Sequence, residues 1–222
     1  MCCVPHSAYY PYLLLETPAG NGNNGSQIMK QILKSFSSIV LDFIETVVIG
    51  LSIFLVVYLF LLQPHQVNGL SMFPNFHNGD YLLTDKVSYR VGSPQPGDVI
   101  VFHAPPAANC PEGTGCDFIK RVIAVPGDTV QVKDSSIYVN QQRLDESQYL
   151  DSTVVTSEGA FTAGGRITTL GTDEYFAVGD NRPHSSDSRA WGPVMADEIV
   201  GRAFFRYWPA KDMGVIAKVV PR

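Results

Sequence analysis

The sequence predicts a mainly β domain carried behind an N-terminal apolar helix, and three observations predict it. The first is an uncharged run of 17 residues, Thr46 to Leu62. The second is a series of short apolar runs downstream of it, bounded by Gly, Pro, Asn and Asp, which is the punctuation of strands rather than of long helices. The third is a composition of 222 residues with 45% apolar side chains, enough for a core in one medium domain plus an anchor.

At about 1.5 Å per residue the uncharged run covers most of a hydrocarbon layer about 30 Å thick. Ile39-Val40-Leu41-Asp42-Phe43-Ile44-Glu45 before it can complete the span. A cleaved signal peptide has a shorter apolar stretch and a small-residue site after it, and Gln63-Pro64-His65-Gln66-Val67 offers no such site. Residues 38–62 are therefore read as an uncleaved transmembrane anchor and residues 1–37 as a tail. Residues 1–28 look like neither an anchor nor a fold, and translation is expected to begin at Met29. Lys30 and Lys34 precede the span, and no Lys or Arg follows it until Lys86. The positive-inside rule then places the tail in the cytoplasm and residues 63–222 outside, in a single-pass protein of the plasma membrane.

In the exported part, the strand-like runs are residues 81–84, 99–102, 118–125, 129–132, 137–139 and 175–178. Gly-Asp recurs beside them at Gly79-Asp80, Gly97-Asp98, Gly127-Asp128 and Gly179-Asp180, where Gly accepts positive φ and Asp bonds the local backbone. Their spacing is uneven, which argues against a repeat architecture. Residues 141–172 are polar, with few apolar runs, and read as a peripheral insertion without evident chemistry.

A net charge of −5 and the lack of a dense Lys/Arg cluster exclude nucleic acid as the main partner. His6, His65, His77, His103 and His184 are scattered without zinc-like spacing, so neither a metal nor another cofactor is expected. Cys110 and Cys116 lie in a Pro/Gly-rich loop and could close a small disulfide in an oxidising compartment.

The chemistry-bearing residues fall in three segments. Lys120 interrupts the apolar run Phe118-Ile119-Lys120-Arg121-Val122-Ile123. On a strand it shares a face with Phe118, Val122 and Ala124, and burial among hydrocarbon lowers a lysine's pKa toward values where the neutral amine takes a proton. Ser71 follows Asn68-Gly69-Leu70, and a tight Gly-containing turn can present a hydroxyl and backbone N–H groups together. Residues 69–73 lack the last glycine of a G-x-S-x-G elbow, so an α/β-hydrolase is not supported. The third segment, Gly179-Asp180-Asn181-Arg182 through Arg189, is dense in hydrogen-bonding groups, with Asp187 and Arg189 two apart.

Taken together, Ser71-Met72-Phe73-Pro74, Lys120-Arg121 running into Pro126-Gly127-Asp128, and the Gly179 to Arg189 loop resemble type I signal peptidases, in the same order and behind the same kind of anchor. The resemblance covers roughly residues 43–194. It implies an antiparallel β catalytic domain facing the membrane, which removes signal peptides from preproteins after small residues, at sites of the A-x-A kind. It further implies that Ser71 is the nucleophile and Lys120 its general base, that Ser185 hydrogen-bonds the lysine, and that Asp187 and Arg189 stabilise the site. The implied partners are signal peptides, the lipid bilayer and the secretion translocon. Gly69 stands where many members carry a serine that helps the oxyanion hole, which leaves the backbone N–H of Ser71 for that task. Residues forming the substrate pockets are not named by the sequence. Two other readings stay open at this level: a Ser/His hydrolase using His77, His103 or His184, and an anchored β domain that only binds partners.

Overall fold

The computed structural model describes residues 24–108 and 116–219. Helix α1, Asn24–Phe60, is long and apolar enough to cross a membrane. It begins before residue 38, so residues 24–37 of the expected tail are helical and continuous with the expected anchor. Gln27, Met29, Lys30, Gln31, Leu33 and Lys34 are good helix formers, and Ile28, Ile32 and Phe36 extend the exposed apolar surface toward the N-terminus. Met29, the expected start, lies inside this helix. Thr46 Oγ1 donates to the Asp42 carbonyl at 2.8 Å and Ser52 Oγ to the Val48 carbonyl at 2.7 Å, so both hydroxyls are satisfied within the helix. The helix ends at Phe60 rather than at 62, because Pro64 favours extended backbone before it and a strand begins at Leu62.

The β unit holds two sheets. The strands of the larger are β1 (Leu62–Gln66), β2 (Tyr81–Asp85), β3 (Val99–His103), β4 (Asp117–Ala124), β9 (Glu174–Val178), β10 (Val194–Met195), β11 (Ile199–Trp208) and β12 (Gly214–Val215). The smaller contains β5 (Thr129–Lys133), β6 (Ser136–Val139), β7 (Gln142–Arg143) and β8 (Thr168–Thr169). The larger runs in the order β1-β2-β11-β3-β4-β9-β10, with β12 added to β11, and the smaller in the order β7-β6-β5-β8. Every pairing is antiparallel. Two short helices, α2 (Ser88–Val91) and α3 (Ser188–Trp191), fall between strands. All six strand-like runs are strands. The insertion supplies β7 and β8, so the runs at 129–132 and 137–139 belong with it in the smaller sheet.

Strand β11 lies outside the runs read from the sequence, although it sits between β2 and β3. Gly201, Arg202 and Arg206 interrupt its apolar character, and register shifts at three places along it break the two-residue alternation. A core of Ile123, Val130, Val132, Ile137, Phe176 and Val178 joins residues of both sheets. A second core of Val67, Met72, Phe76, Leu82, Val99 and Val101 lies under the turn that carries Ser71. Burying Met72 there contributes roughly 1.5–3 kcal/mol and fixes the residue next to the serine. Cys116 is disulfide-bonded, while Cys110 lies outside the described residues.

Candidate active site

Strand β4 pairs with β3 through residues 117–121, with Lys120 opposite Ile100, but meets β9 only from Arg121 onward. Residues 117–120 therefore have one edge without a strand partner among the described residues. Lys120 is 4% exposed, and its Nζ stands 5.0 Å from the centroid of the Phe118 ring. That nitrogen lies 2.9 Å from Ser71 Oγ and donates to the Ile119 carbonyl at 2.9 Å. Burial pulls the Lys120 pKa down to about 8, against the opposing charges of Asp187 and Asp180.

The turn bearing Ser71 is built around Gly69, whose φ of +106° suits glycine and whose N–H donates to Asn78 Oδ1 at 2.8 Å. Phe73 N–H closes onto the Leu70 carbonyl at 3.1 Å and Phe76 N–H onto the Met72 carbonyl at 2.9 Å. Asn181 clamps this turn from the third segment: its N–H donates to the Ser71 carbonyl at 2.9 Å and its side-chain amide to the Leu70 carbonyl at 3.0 Å.

Asp187 caps helix α3, accepting from the Arg189 N–H. Its carboxylate is fully buried and takes a two-point ion pair from Arg189 Nε and a terminal nitrogen, both at 2.8 Å. The same carboxylate accepts from the Gly179 N–H at 3.1 Å, which ties the loop to the end of β9. Arg189 continues to the carbonyls of Arg182, at 2.7 Å, and Ser157, at 3.2 Å. Neither Asp187 nor Arg189 hydrogen-bonds Lys120. Their place is behind the loop, where they hold its shape and set the local charge.

Two further ion pairs, one buried and one partly buried, went unrecognised in the sequence. Arg121 binds Asp180 through Nε at 2.9 Å and a terminal nitrogen at 2.7 Å, and Asn75 bridges Asp180 to the Tyr149 carbonyl. Arg182 pairs with Glu146 and donates to Thr156 at 2.6 Å. The insertion thus supplies Glu146, Thr156 and Ser157 to the support of the site. The arginines in Lys120-Arg121 and Gly179-Asp180-Asn181-Arg182 were visible as residues; their carboxylate partners lie far away in sequence.

Ser185 departs from expectation. Its Oγ is buried and has no hydrogen-bond partner among the described residues, so the expected bond to Lys120 is not made. The hydroxyl instead lies against Gly179, where a Cβ would clash with Ser185 Oγ and with the Ser71 carbonyl oxygen. Glycine is therefore required at 179 by close packing. Gly179→Ala is expected to displace the Ser71 turn and lower peptidase kcat/KM by about tenfold or more, since small misplacements of reacting groups are costly; kinetics on a protein with an unchanged circular dichroism spectrum would check this.

A cleft of about 250 Å³ contains Ser71 and Lys120 and is walled by Val67, Leu82, Val101, Phe118 and Ile119, with His65 and Asp117 at one side. These are the apolar neighbours the sequence left unnamed. None of His77, His103 and His184 hydrogen-bonds Ser71 among the described residues: His77 packs edge-on to Phe73, and His103 pairs with Asp117. No group of three or more potential metal ligands occurs among the described residues.

Residues 40–208 match the family model described as signal peptidase, peptidase S26. Signal peptidase IB of Staphylococcus aureus is 33% identical over 184 residues, which cover 78% of this chain and 92% of the relative. A probable signal peptidase I-1 of Synechocystis sp. is 36% identical over 173 residues, covering 77% of this chain and 84% of the relative. A solved structure of a signal peptidase I from Enterococcus faecalis V583 aligns at 28% identity with a TM-score of 0.38, covering 50% of this chain and 97% of that one.

Proposed function

The chain belongs to the S26 signal peptidase family, and from that premise we propose that it is a membrane-anchored serine endopeptidase that removes signal peptides from preproteins with a Ser71/Lys120 pair. The observation that carries this reading is the 2.9 Å separation of Lys120 Nζ and Ser71 Oγ inside a cleft of mixed polar and apolar lining. That is hydrogen-bond reach for proton transfer, and the lysine's pKa of about 8 supplies a usable fraction of neutral amine at neutral pH.

Neutral Lys120 takes the Ser71 proton as Oγ attacks the carbonyl carbon of the residue before the cleaved bond. The N–H of Ser71 stabilises the oxyanion, Lys120 then protonates the departing amine, and the signal peptide stays esterified to Ser71. Lys120, neutral again, takes a proton from water, which releases the signal peptide and restores the serine. Asp187, Arg189 and Asn181 act as positioning residues, and Ser185 packs the loop against Gly179. The free edge of residues 117–120 suits an extended peptide adding as a strand along the cleft. Helix α1 holds this chemistry at a bilayer, with the β unit outside and Lys30 and Lys34 on the cytoplasmic side. The secretion translocon is the partner that delivers preproteins there.

Cleavage by the full-length protein in detergent tests the function. A preprotein with an A-x-A site should be cut after the second alanine, as read from the N-terminus of the product, and lysine at that position should block cleavage. Cleavage elsewhere, or none by folded protein, would overturn the reading. Because the protonated lysine is inactive, kcat/KM should rise about tenfold from pH 7 to a plateau above pH 9, with a midpoint near 8. A profile rising with a midpoint near 6 would point to a histidine base instead.

A further inference from the structure

Helix α1 runs for 37 residues, Asn24–Phe60, about 55 Å at 1.5 Å per residue, whereas about 20 residues suffice to cross a hydrocarbon core. Counting back that far from Phe60 reaches Leu41 and leaves residues 24–40 in excess of the span. The two parts of the helix differ in kind. Residues 46–60 carry no charge and are apolar all round, with the Thr46 and Ser52 hydroxyls turned onto the helix backbone. Residues 24–40 are two-faced. At about 100° per residue, every large apolar side chain from Ile28 to Val40 falls within one arc of about 140°, centred on Ile32 and Phe36, and every polar one falls in the opposite arc. Ile28, Ile32, Phe36 and Ile39 are 57%, 58%, 68% and 66% exposed, so this face packs against nothing in the structure. Lys30 and Lys34 stand near the middle of the polar arc, and no Asp or Glu occurs among residues 24–40. The segregation stops at Leu41, which falls in the polar arc.

A straight continuation into water would leave the apolar face exposed along its whole length, and drawing the segment into hydrocarbon would carry both lysines with it. A membrane surface accommodates both faces at once. A second copy fits less well: the apolar arc is wider than a two-position coiled-coil seam, and two copies would bring four lysines together with no acidic side chain from residues 24–40 to pair with them. We propose that residues 24–40 form an in-plane amphipathic helix that docks on an anionic lipid surface. Its Ile32/Phe36 face sinks about 5–10 Å into the headgroup–acyl boundary, and Lys30 and Lys34 meet lipid phosphates. The span begins after a bend between Ser37 and Leu41, at a serine pair of the kind where helices kink. Each lysine near the surface strengthens binding about fivefold, so the two together give a preference of about 25-fold for an anionic over a neutral bilayer.

The test uses the full-length protein with Cys2→Ser and Cys3→Ser, carrying one nitroxide-labelled cysteine at a time at each position from 28 to 40. The protein is reconstituted in vesicles of phosphatidylcholine with about 30% phosphatidylglycerol. Relaxation of the label by oxygen, which partitions into lipid, is compared with relaxation by a water-soluble nickel chelate equilibrated across the vesicles by freeze–thaw. The oxygen-to-nickel ratio should rise and fall with a period of about 3.6 residues and stand about tenfold higher at Ile32 and Phe36 than at Lys30 and Lys34. Replacing both lysines, Lys30→Gln with Lys34→Gln, should lower the ratio at Phe36 severalfold, to the value seen in phosphatidylcholine alone; an unchanged ratio would overturn the anionic surface as partner. High nickel access at every position would mean that the segment projects into water, and high oxygen access at every position that it lengthens the span. Low access to both reagents at Ile32 and Phe36, with spin–spin broadening that is lost on dilution with unlabelled protein, would mean that a second copy covers the face. Each of these three results would overturn the proposal.

Discussion

Lys120→Met is expected to reduce kcat by about four orders of magnitude or more while leaving the protein folded. Loss of one member of a nucleophile–base pair commonly costs that much, because the remaining groups still bind substrate but cannot deprotonate the serine. Methionine fills the same space with a flexible apolar chain beside Phe118 and Ile119, and it removes the desolvation that opposes a buried ammonium. The melting temperature should therefore hold or rise. Lys120→Arg should be as inactive as Lys120→Met, because a guanidinium does not give up its proton in the working range. Single-turnover cleavage alongside a thermal melt separates these effects. Normal turnover by folded Lys120→Met would rule out the lysine as base.

The second large effect is on stability. Asp187→Ala should destabilise the β unit by about 3–5 kcal/mol, the usual result of leaving one partner of a buried pair alone. Arg189 would stay buried without its carboxylate, and Gly179 N–H would lose its acceptor. The melting temperature should fall by roughly 10 °C. Asp187→Asn keeps the shape and some hydrogen bonds and should cost less. It also removes a negative charge that favours the protonated lysine, so the rising limb of its pH profile should move below 8. A fall in stability without that movement would mean that Asp187 acts through structure alone.

Much of this was legible because local rules carry it. The uncharged run marked an anchor, turn residues bracketed the strands, and a lysine within a strand of Phe, Ile and Val announced a buried amine. The Gly179-Asp180-Asn181-Arg182 segment was visible as a polar loop, but which carboxylate each arginine would find was not. Arg121 meets Asp180 and Arg182 meets Glu146 across long stretches of chain, a pairing set by sheet order rather than by spacing. Strand β11 was hidden by its irregular register. The cleft walls were hidden for a related reason: Val67, Leu82 and Val101 look like ordinary core residues until the fold brings the end of β1, β2 and β3 together beside Ser71. Helix α1 continues upstream of the most apolar stretch because residues 24–37 keep good helix propensity. Ser185 shows the limit of carrying a role over by position, since its hydroxyl lies against Gly179 without reaching the lysine.

The most direct measurement of the central claim is cleavage of one preprotein by wild type, Ser71→Ala, Lys120→Met and the double variant, each verified as folded. If the 2.9 Å pair acts as one unit, the three variants should share the same residual rate, about 10⁴-fold or more below wild type, because removing either member already removes the whole device. Single variants with intermediate rates whose losses multiply in the double variant would contradict it, as would a folded Ser71→Ala protein that still cleaves.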